Sequence, residues 1–362
     1  VSFEIGLQAG VLSGELALAK MVASSKILQK AVLLVARGGN LSVVSTDTWV
    51  SLSSSIPDVA VSDGSVSTSA DKLYAVVSSF RGGDPVSVRE ESGSLIVKSG
   101  ASRFKLPLFN PEDFPSLPRV TEKRSMRLGA DVFSDVVRKV AFATTEYDSR
   151  YHLHGVLLES YSEGLRAVAT DGHRLSLLSV LRTGAESMRV LVPHSALKVL
   201  SRIIRDPGSD VSVSVGQNHV TFSYEGRTLL ARIPEGNFPD YLKIIRAKDN
   251  VTAVVGKEAV LSAVRRVSGV SDDKRSVRFS FKKGGLTVSV KAPDAEASET
   301  LDAEYSSDDD ADIAFNPKYV TDFLKAVDAE RVSIGLKGPD DSATLRPVGD
   351  DSHVYVLMPV RL

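Results

Sequence analysis

The sequence predicts an α+β chain made of repeated units, each a helix with antiparallel strands. Three observations predict it. An apolar pattern at i, i+3, i+4 and i+7, one face of an α-helix, recurs six times in 362 residues, about every sixty. Between the copies the apolar residues alternate with polar ones, the period of a half-buried strand. Two similar punctuating segments, Asn110-Pro-Glu-Asp-Phe-Pro and Pro234-Glu-Gly-Asn-Phe-Pro, each follow a hairpin pattern. They divide the chain into three stretches, 1–120, 121–245 and 246–362, each holding two helix units.

Taken in order, the helix windows are 11–26, 70–81, 131–143, 193–205, 257–269 and 317–327. The first carries Leu12, Leu16 and Ala19 but has Glu15 at one apolar position. The others read Leu73, Val76, Val77 and Phe80; Phe133, Val136, Val137 and Val140; Ala196, Val199, Leu200 and Ile203; Val260, Ala263, Val264 and Val267; Val320, Phe323, Leu324 and Val327. Three hairpins are legible between them. Residues 86–89 and 95–98 flank Glu91-Ser-Gly93, residues 211–215 and 220–224 flank Gln217-Asn218, and residues 278–281 and 286–290 flank Lys282-Lys-Gly-Gly285. No βαβ rhythm of parallel strands is present. The period exceeds the 20–50 residues of ordinary solenoid repeats, so the unit is a larger one. A chain of like units can close on itself, and a closed ring has a hole.

Composition is that of an ordinary soluble globular protein, 43% hydrophobic and 25% charged. With no cysteine, disulfides, thiolate metal sites and thiol nucleophiles are excluded, which fits a reducing cytoplasm. No secretory signal is expected, because the first apolar residues lack a basic flank and Glu15 interrupts them. Apolar runs such as residues 31–36 are too short to span a bilayer. The net charge of −1 argues against a generally basic nucleic-acid binder. Its distribution argues the other way: the helix windows hold fourteen basic and six acidic residues, and the remainder thirty and thirty-nine. Arg138, Lys139, Arg202, Arg265, Arg266 and Lys325 fall opposite the apolar faces. One such helix is a solvated face with cations suiting its dipole. Six, against an acidic remainder, suggest a shared basic surface.

The densest motif is Ala169-Thr-Asp-Gly-His-Arg-Leu175. Asp171 and His173 could form an acid–base pair, or the segment could simply be an Asp-Gly turn between strands with His173 and Arg174 on the surface. Two residues do not complete a metal site, and no GxSxG elbow, Walker loop or GxGxxG is present. The acidic run at residues 306–312 lacks the Gly turn and distal Glu of a calcium loop and reads as a solvated loop. Three classes therefore compete: a ring of repeated units with a shared basic surface, a hydrolase using Asp171 and His173, and a repeat scaffold without a DNA role.

The motif together with Arg150-Tyr-His-Leu-His-Gly155, Phe238-Pro-Asp-Tyr241, Phe315-Asn-Pro-Lys-Tyr319 and the terminal Met358-Pro-Val-Arg-Leu362 resembles the bacterial DNA polymerase III beta subunit family, the replicative sliding clamps. The resemblance runs nearly the whole length, in order. It implies three tandem domains of the DNA-clamp fold, each of two helix-plus-antiparallel-sheet units. Two chains would join head-to-tail into a closed ring, helices lining the hole and sheets outside. It implies a non-enzymatic, cofactor-free cytoplasmic processivity factor that encircles duplex DNA without reading sequence. Its partners would be a second copy, the DNA polymerase III catalytic subunit, the clamp loader, and other polymerases and repair proteins carrying a clamp-binding motif; no membrane is involved.

Carried over by position, the DNA-facing set is Lys26, Arg138, Lys139, Tyr151, His152, Lys198, Arg202, Arg265, Arg266 and Lys325. Lys26 stands in for a basic residue that some clamps place near Ala23. A pocket for short motifs with Gln and Leu/Phe anchors would use Leu153, Thr170, Gly172, His173, Arg174, Leu175, Pro239, Lys243, Ile244, Asn316, Tyr319, Ser342, Val356, Met358, Pro359, Val360, Arg361 and Leu362. Lys243 sits where many members have Arg, and Lys274 with Arg275 replaces a more apolar stretch, so motif preference should differ at that edge. Phe104 and Leu106, on a strand over residues 102–108, match the family's interface strand, with Val270 as the partner across it. Packing in the chain's own core is the competing reading for these three.

Overall fold

The computed structural model describes residues 3–23, 30–118, 120–121, 124–145, 153–181, 187–245, 249–270 and 276–361. Seven α-helices are found among them: α1 Ala9–Val22, α2 Ala70–Val77, α3 Ala130–Lys139, α4 His194–Ile203, α5 Tyr241–Ile245, α6 Lys257–Ser268 and α7 Pro317–Ala326. By internal contacts the chain divides into two compact units, one of residues 1–134 with 195–233 and one of residues 135–194 with 234–362.

The first unit holds a five-stranded sheet in the order Ala60–Ser62, Glu4–Gln8, Pro85–Glu91, Ser94–Ser99, Ser102–Pro107. Its eight-stranded sheet runs Arg124–Gly129, Asp210–Val215, His219–Tyr224, Arg227–Arg232, Val50–Ile56, Asn40–Thr46, Ala31–Arg37, Gly64–Ser69. Every pairing is antiparallel. Helices α1 and α2 pack on each other and on these sheets, burying Leu12, Leu16, Leu73 and Val77 completely. Glu15 lies on the same buried face. Arg227 donates to both of its carboxylate oxygens, Nη2 at 2.5 Å and Nε at 3.1 Å. The break in the apolar pattern is thus an ion pair tying α1 to strand Arg227–Arg232.

The second unit holds one twelve-stranded sheet: Met188–Pro193, Gly155–Tyr161, Gly164–Thr170, Arg174–Leu181, His353–Leu357, Ala343–Pro347, Arg331–Leu336, Val251–Gly256, Glu296–Tyr305, Gly285–Lys291, Val277–Lys282, Ala311–Phe315. Helices α6 and α7 pack together, α6 also against four of these strands. The apolar faces of α6 and α7 meet Phe279, Phe281, Phe315 and Tyr355 in one core.

Sheets run continuously across the boundaries between the three stretches expected from the sequence. Leu229 pairs with Leu52 across the first seam, and Ser176 with Tyr355 across the second. Strands of the middle stretch extend a neighbour's sheet on either side, so the two compact units each include part of it. The hairpins form as read. Ser92 and Gly93 both have positive φ, 49° and 70°, the geometry of the tight turn between Glu91 and Ser94. Several helix windows overran. α1 ends at Val22 and α2 at Val77, and the six long helices hold eleven basic and six acidic residues. The basic excess therefore narrows from eight to five. Helix α5 was not legible, since five residues are too few to show a helical period.

Candidate functional site

Strand Gly164–Thr170 turns back into strand Arg174–Leu181 through the Asp-Gly turn, and the turn is held by its own side chains. Thr170 Oγ1 donates to the carbonyl of Arg174 at 2.6 Å and accepts from the Gly172 amide. Asp171 Oδ1 accepts the amides of His173 and Arg174 at 2.9 and 3.0 Å. Gly172 has φ +87°, a conformation that costs a residue with a Cβ. Beneath the turn lies Arg174, 5% exposed. Its Nε donates to Asp171 Oδ2 at 3.0 Å, one Nη to Asp322 of α7 at 2.7 Å, and the other to the Phe142 carbonyl at 2.6 Å. The guanidinium lies 4.3 Å from the Tyr319 ring centre. Burial works against its charge, yet Tyr355, Asp322 and Asp171 outweigh that and hold it more firmly protonated than usual.

The chain's end comes to the same turn. Leu175 pairs with Val356 and Arg174 with Leu357. The Met358 amide donates to the His173 carbonyl at 2.9 Å, and the Val360 amide to Ala314 at 2.8 Å. Ala343 pairs with Leu357, which brings the preceding Ser342 alongside. Helix α5 packs on strand His353–Leu357. The Tyr241 hydroxyl bonds Glu159, and burial first, then Glu159, push that phenol up to about 12.

The expected pocket set thus separates by accessibility. His173, Gly172, Lys243, Ile244, Met358 and Arg361 are exposed; Ile244 and Met358 offer apolar surface at 43% and 45% exposure. Pro239, Tyr319, Ser342, Pro359 and Val360 are half-buried, and Leu153, Thr170, Leu175 and Val356 are buried. Asn316 caps α7, its side chain accepting from the Lys318 amide at 2.9 Å. Lys243 pairs with Asp240 at 3.2 Å. Arg174 is not a surface contact as the bare turn reading had it; it is the internal tie of the turn. Sequence reasoning missed its partners Phe142 and Asp322. The spacing of Lys318 and Asp322, an i,i+4 pair joined at 2.8 Å, was the one signal that could have marked the latter. Leu362, Lys274 and Arg275 lie outside the described residues.

The hydrolase reading loses its base here. Asp171 is committed to two backbone amides and Arg174, leaving no oriented pair with His173. Among the described residues, no three His, Cys, Asp or Glu side chains come together as metal ligands, and no helix is long and apolar enough to cross a membrane.

The basic residues separate likewise. Lys198, Arg202, Arg265, Arg266 and Lys325 are exposed on the sides of α4, α6 and α7 opposite their buried faces. Arg266 pairs with Glu299, holding that carboxyl below its usual range, whereas Arg202, Arg265 and Lys325 have no ion-pair partner among the described residues. Arg138 and Lys139 are engaged within the chain. Arg138 makes four hydrogen bonds: two to Asp328 at 2.6 and 2.7 Å, one to Asp135 at 2.6 Å and one to the Ala326 carbonyl at 3.0 Å. Lys139 is largely buried between Asp135 at 3.1 Å and Asp350 at 3.9 Å. Lys26, Tyr151 and His152 lie outside the described residues.

Of the three residues expected between chains, Phe104 stands 37% exposed on the edge strand Ser102–Pro107, its ring edge-on to Phe80 at 5.9 Å. Val270 is exposed just beyond α6. Leu106 is buried in the first unit's core.

Family models of the DNA polymerase III beta subunit match the chain in succession: the N-terminal domain at residues 20–118, the central domain at 127–240 and the C-terminal domain at 243–361. The beta sliding clamp of Pseudomonas putida is 31% identical over 336 residues, 91% of each chain. That of Escherichia coli K12 is 29% identical over 335 residues, again 91% of each. Among solved structures, the Pseudomonas aeruginosa sliding clamp bound to griselimycin superposes with a TM-score of 0.94 at 28% identity, covering 100% of both chains. The C. crescentus beta sliding clamp with bound PEG gives 0.93 at 25%, covering 100% of this chain and 99% of that one. The chain therefore belongs to the DNA polymerase III beta subunit family, the non-catalytic sliding clamps of DNA replication.

Proposed function

We propose that this processivity clamp works as a ring of two chains, joined head-to-tail through the Ser102–Pro107 edge and the region of Val270. The ring encircles duplex DNA in the cytoplasm, and each chain contributes three domains divided near residues 120 and 245. The observation that carries the DNA role is the exposed basic set Lys198, Arg202, Arg265, Arg266 and Lys325 on helices whose opposite faces are buried. Such residues neutralise phosphates without reading bases, so binding is sequence-independent and weakens with salt. Tethering uses the second unit, where exposed Met358 is bonded to the Asp-Gly turn at His173 and α5, carrying exposed Ile244, packs on the adjoining strand His353–Leu357. A linear peptide with Leu or Phe anchors fits this surface, with Met358 adapting its shape. The polymerase, the clamp loader and repair proteins would compete for it. The test is topological: labelled protein loaded onto nicked circular duplex should stay bound and should leave once the circle is cut. Equal loss from circular and linear DNA would refute encirclement.

A further inference from the structure

We infer that Arg138 is a positioning residue that clasps α3 to the end of α7 and supports the peptide surface, and is not a phosphate contact. This rests on the DNA reading above, in which it would otherwise belong to the basic face. Three features carry it. All four hydrogen bonds of the side chain end inside the chain, three on carboxylates and one on the Ala326 carbonyl in the last turn of α7. Asp328, which no phosphate-binding role needs, is held below the usual carboxylate range chiefly by its bond to Arg138. The backbone just beyond Arg138 supplies two acceptors that anchor the turn. The Lys139 carbonyl accepts the Ser176 hydroxyl at 2.6 Å, and the Phe142 carbonyl accepts Arg174 at 2.6 Å.

The clasp therefore lies one to four residues from both backbone acceptors that anchor the start of strand Arg174–Leu181. A forked guanidinium can hold two carboxylates and a carbonyl at once, and an ammonium cannot. A phosphate reaching Arg138 must first displace Asp328, which carries the same sign of charge and is already in place.

The two roles give opposite results. Duplex oligonucleotide binding is measured over a salt series, together with the affinity for a short peptide carrying Gln followed by Leu and Phe anchors. As a positioning residue, Arg138→Gln leaves the salt slope unchanged and weakens the peptide about fivefold, the worth of one partly exposed ion pair. Asp328→Asn reproduces that pattern, and Arg138→Lys does not rescue the peptide. As a phosphate contact, Arg138→Gln lowers the slope by about 0.9 per contact, Arg138→Lys restores it, and Asp328→Asn tightens DNA by releasing the arginine. Either of the first two results, or tighter DNA binding by Asp328→Asn, overturns the inference. Arg265→Gln is the control. If it too leaves the slope unchanged, the basic-face reading has failed, and the clasp is then decided by the peptide arm and Asp328→Asn alone.

Discussion

Replacing Arg174 should collapse the peptide surface while leaving the second unit folded. Arg174→Ala removes one partner from buried ion pairs, a change that costs about 3–5 kcal/mol. The structure sets it near the low end, because neither carboxylate is left bare: Asp171 keeps two backbone amides and Asp322 keeps Lys318. Arg174→Lys is the sharper variant. It retains the charge and one bond to a carboxylate, but loses two of three hydrogen bonds at about 1 kcal/mol each and the guanidinium's contact over the Tyr319 ring at about 0.5 kcal/mol. The sum, about 2–3 kcal/mol, falls on the turn that carries Gly172, His173 and the Met358 anchor. If half or more of it must be repaid when a peptide binds, affinity drops at least about fivefold. Hydrogen exchange at the Gly172, His173 and Arg174 amides reports the turn, calorimetric titration reports the peptide, and the far-ultraviolet spectrum reports the fold. Wild-type protection in Arg174→Lys, with peptide affinity within twofold, would refute the assignment of Arg174 as the tie beneath the turn.

His353 is buried, and desolvation first, then Lys139, lowers it to about 4 from an ordinary 6.5. The unfolded chain takes up that proton first, so the neutral histidine's full contribution holds above pH 6.5 and declines towards pH 4. The loss totals about 3 kcal/mol, and a His353→Gln variant should show a shallower decline by urea unfolding across this window; an identical slope would argue against it. Phe104→Arg should shift sedimentation towards single chains, because the ring stands exposed at a sheet edge, and an unchanged dimer would remove that edge from the joint. Glu15→Ala should destabilise the first unit by about 2–3 kcal/mol, with Glu15→Leu plus Arg227→Leu recovering most of it, as replaced buried pairs often do. A double variant no better than the single would show that the pair contributes more than its own charges.

What was legible follows from which forces leave a periodic mark. Burial of one helix face repeats every 3.6 residues, so all six long helices could be found, and alternation gave the hairpins. Side-chain bonds between distant elements leave none. Glu15 looked like a defect in the pattern until Arg227, 212 residues away, supplied its partner. Arg138 and Arg265 occupy the same place in the helical pattern, yet one meets Asp328 and the other has no ion-pair partner among the described residues. Pattern reveals which way a residue points and not whether its charge is already answered. The pocket became legible only through motif resemblance, since its residues come from six separate segments with no common period.

Each of the two sheet seams is closed by five paired residues, from Arg227 with Ser54 to Ala231 with Val50, and from Arg174 with Leu357 to Leu178 with His353. Parting either would expose a row of backbone donors and acceptors along with apolar core. The Ser102–Pro107 strand, by contrast, has a neighbour on one side only. In mechanical terms the two seams are welded, and the free edge can only be bolted. A loader that must open the proposed ring meets its least resistance where one chain ends and the next begins, so the gate for DNA is placed by strand order, without a dedicated hinge.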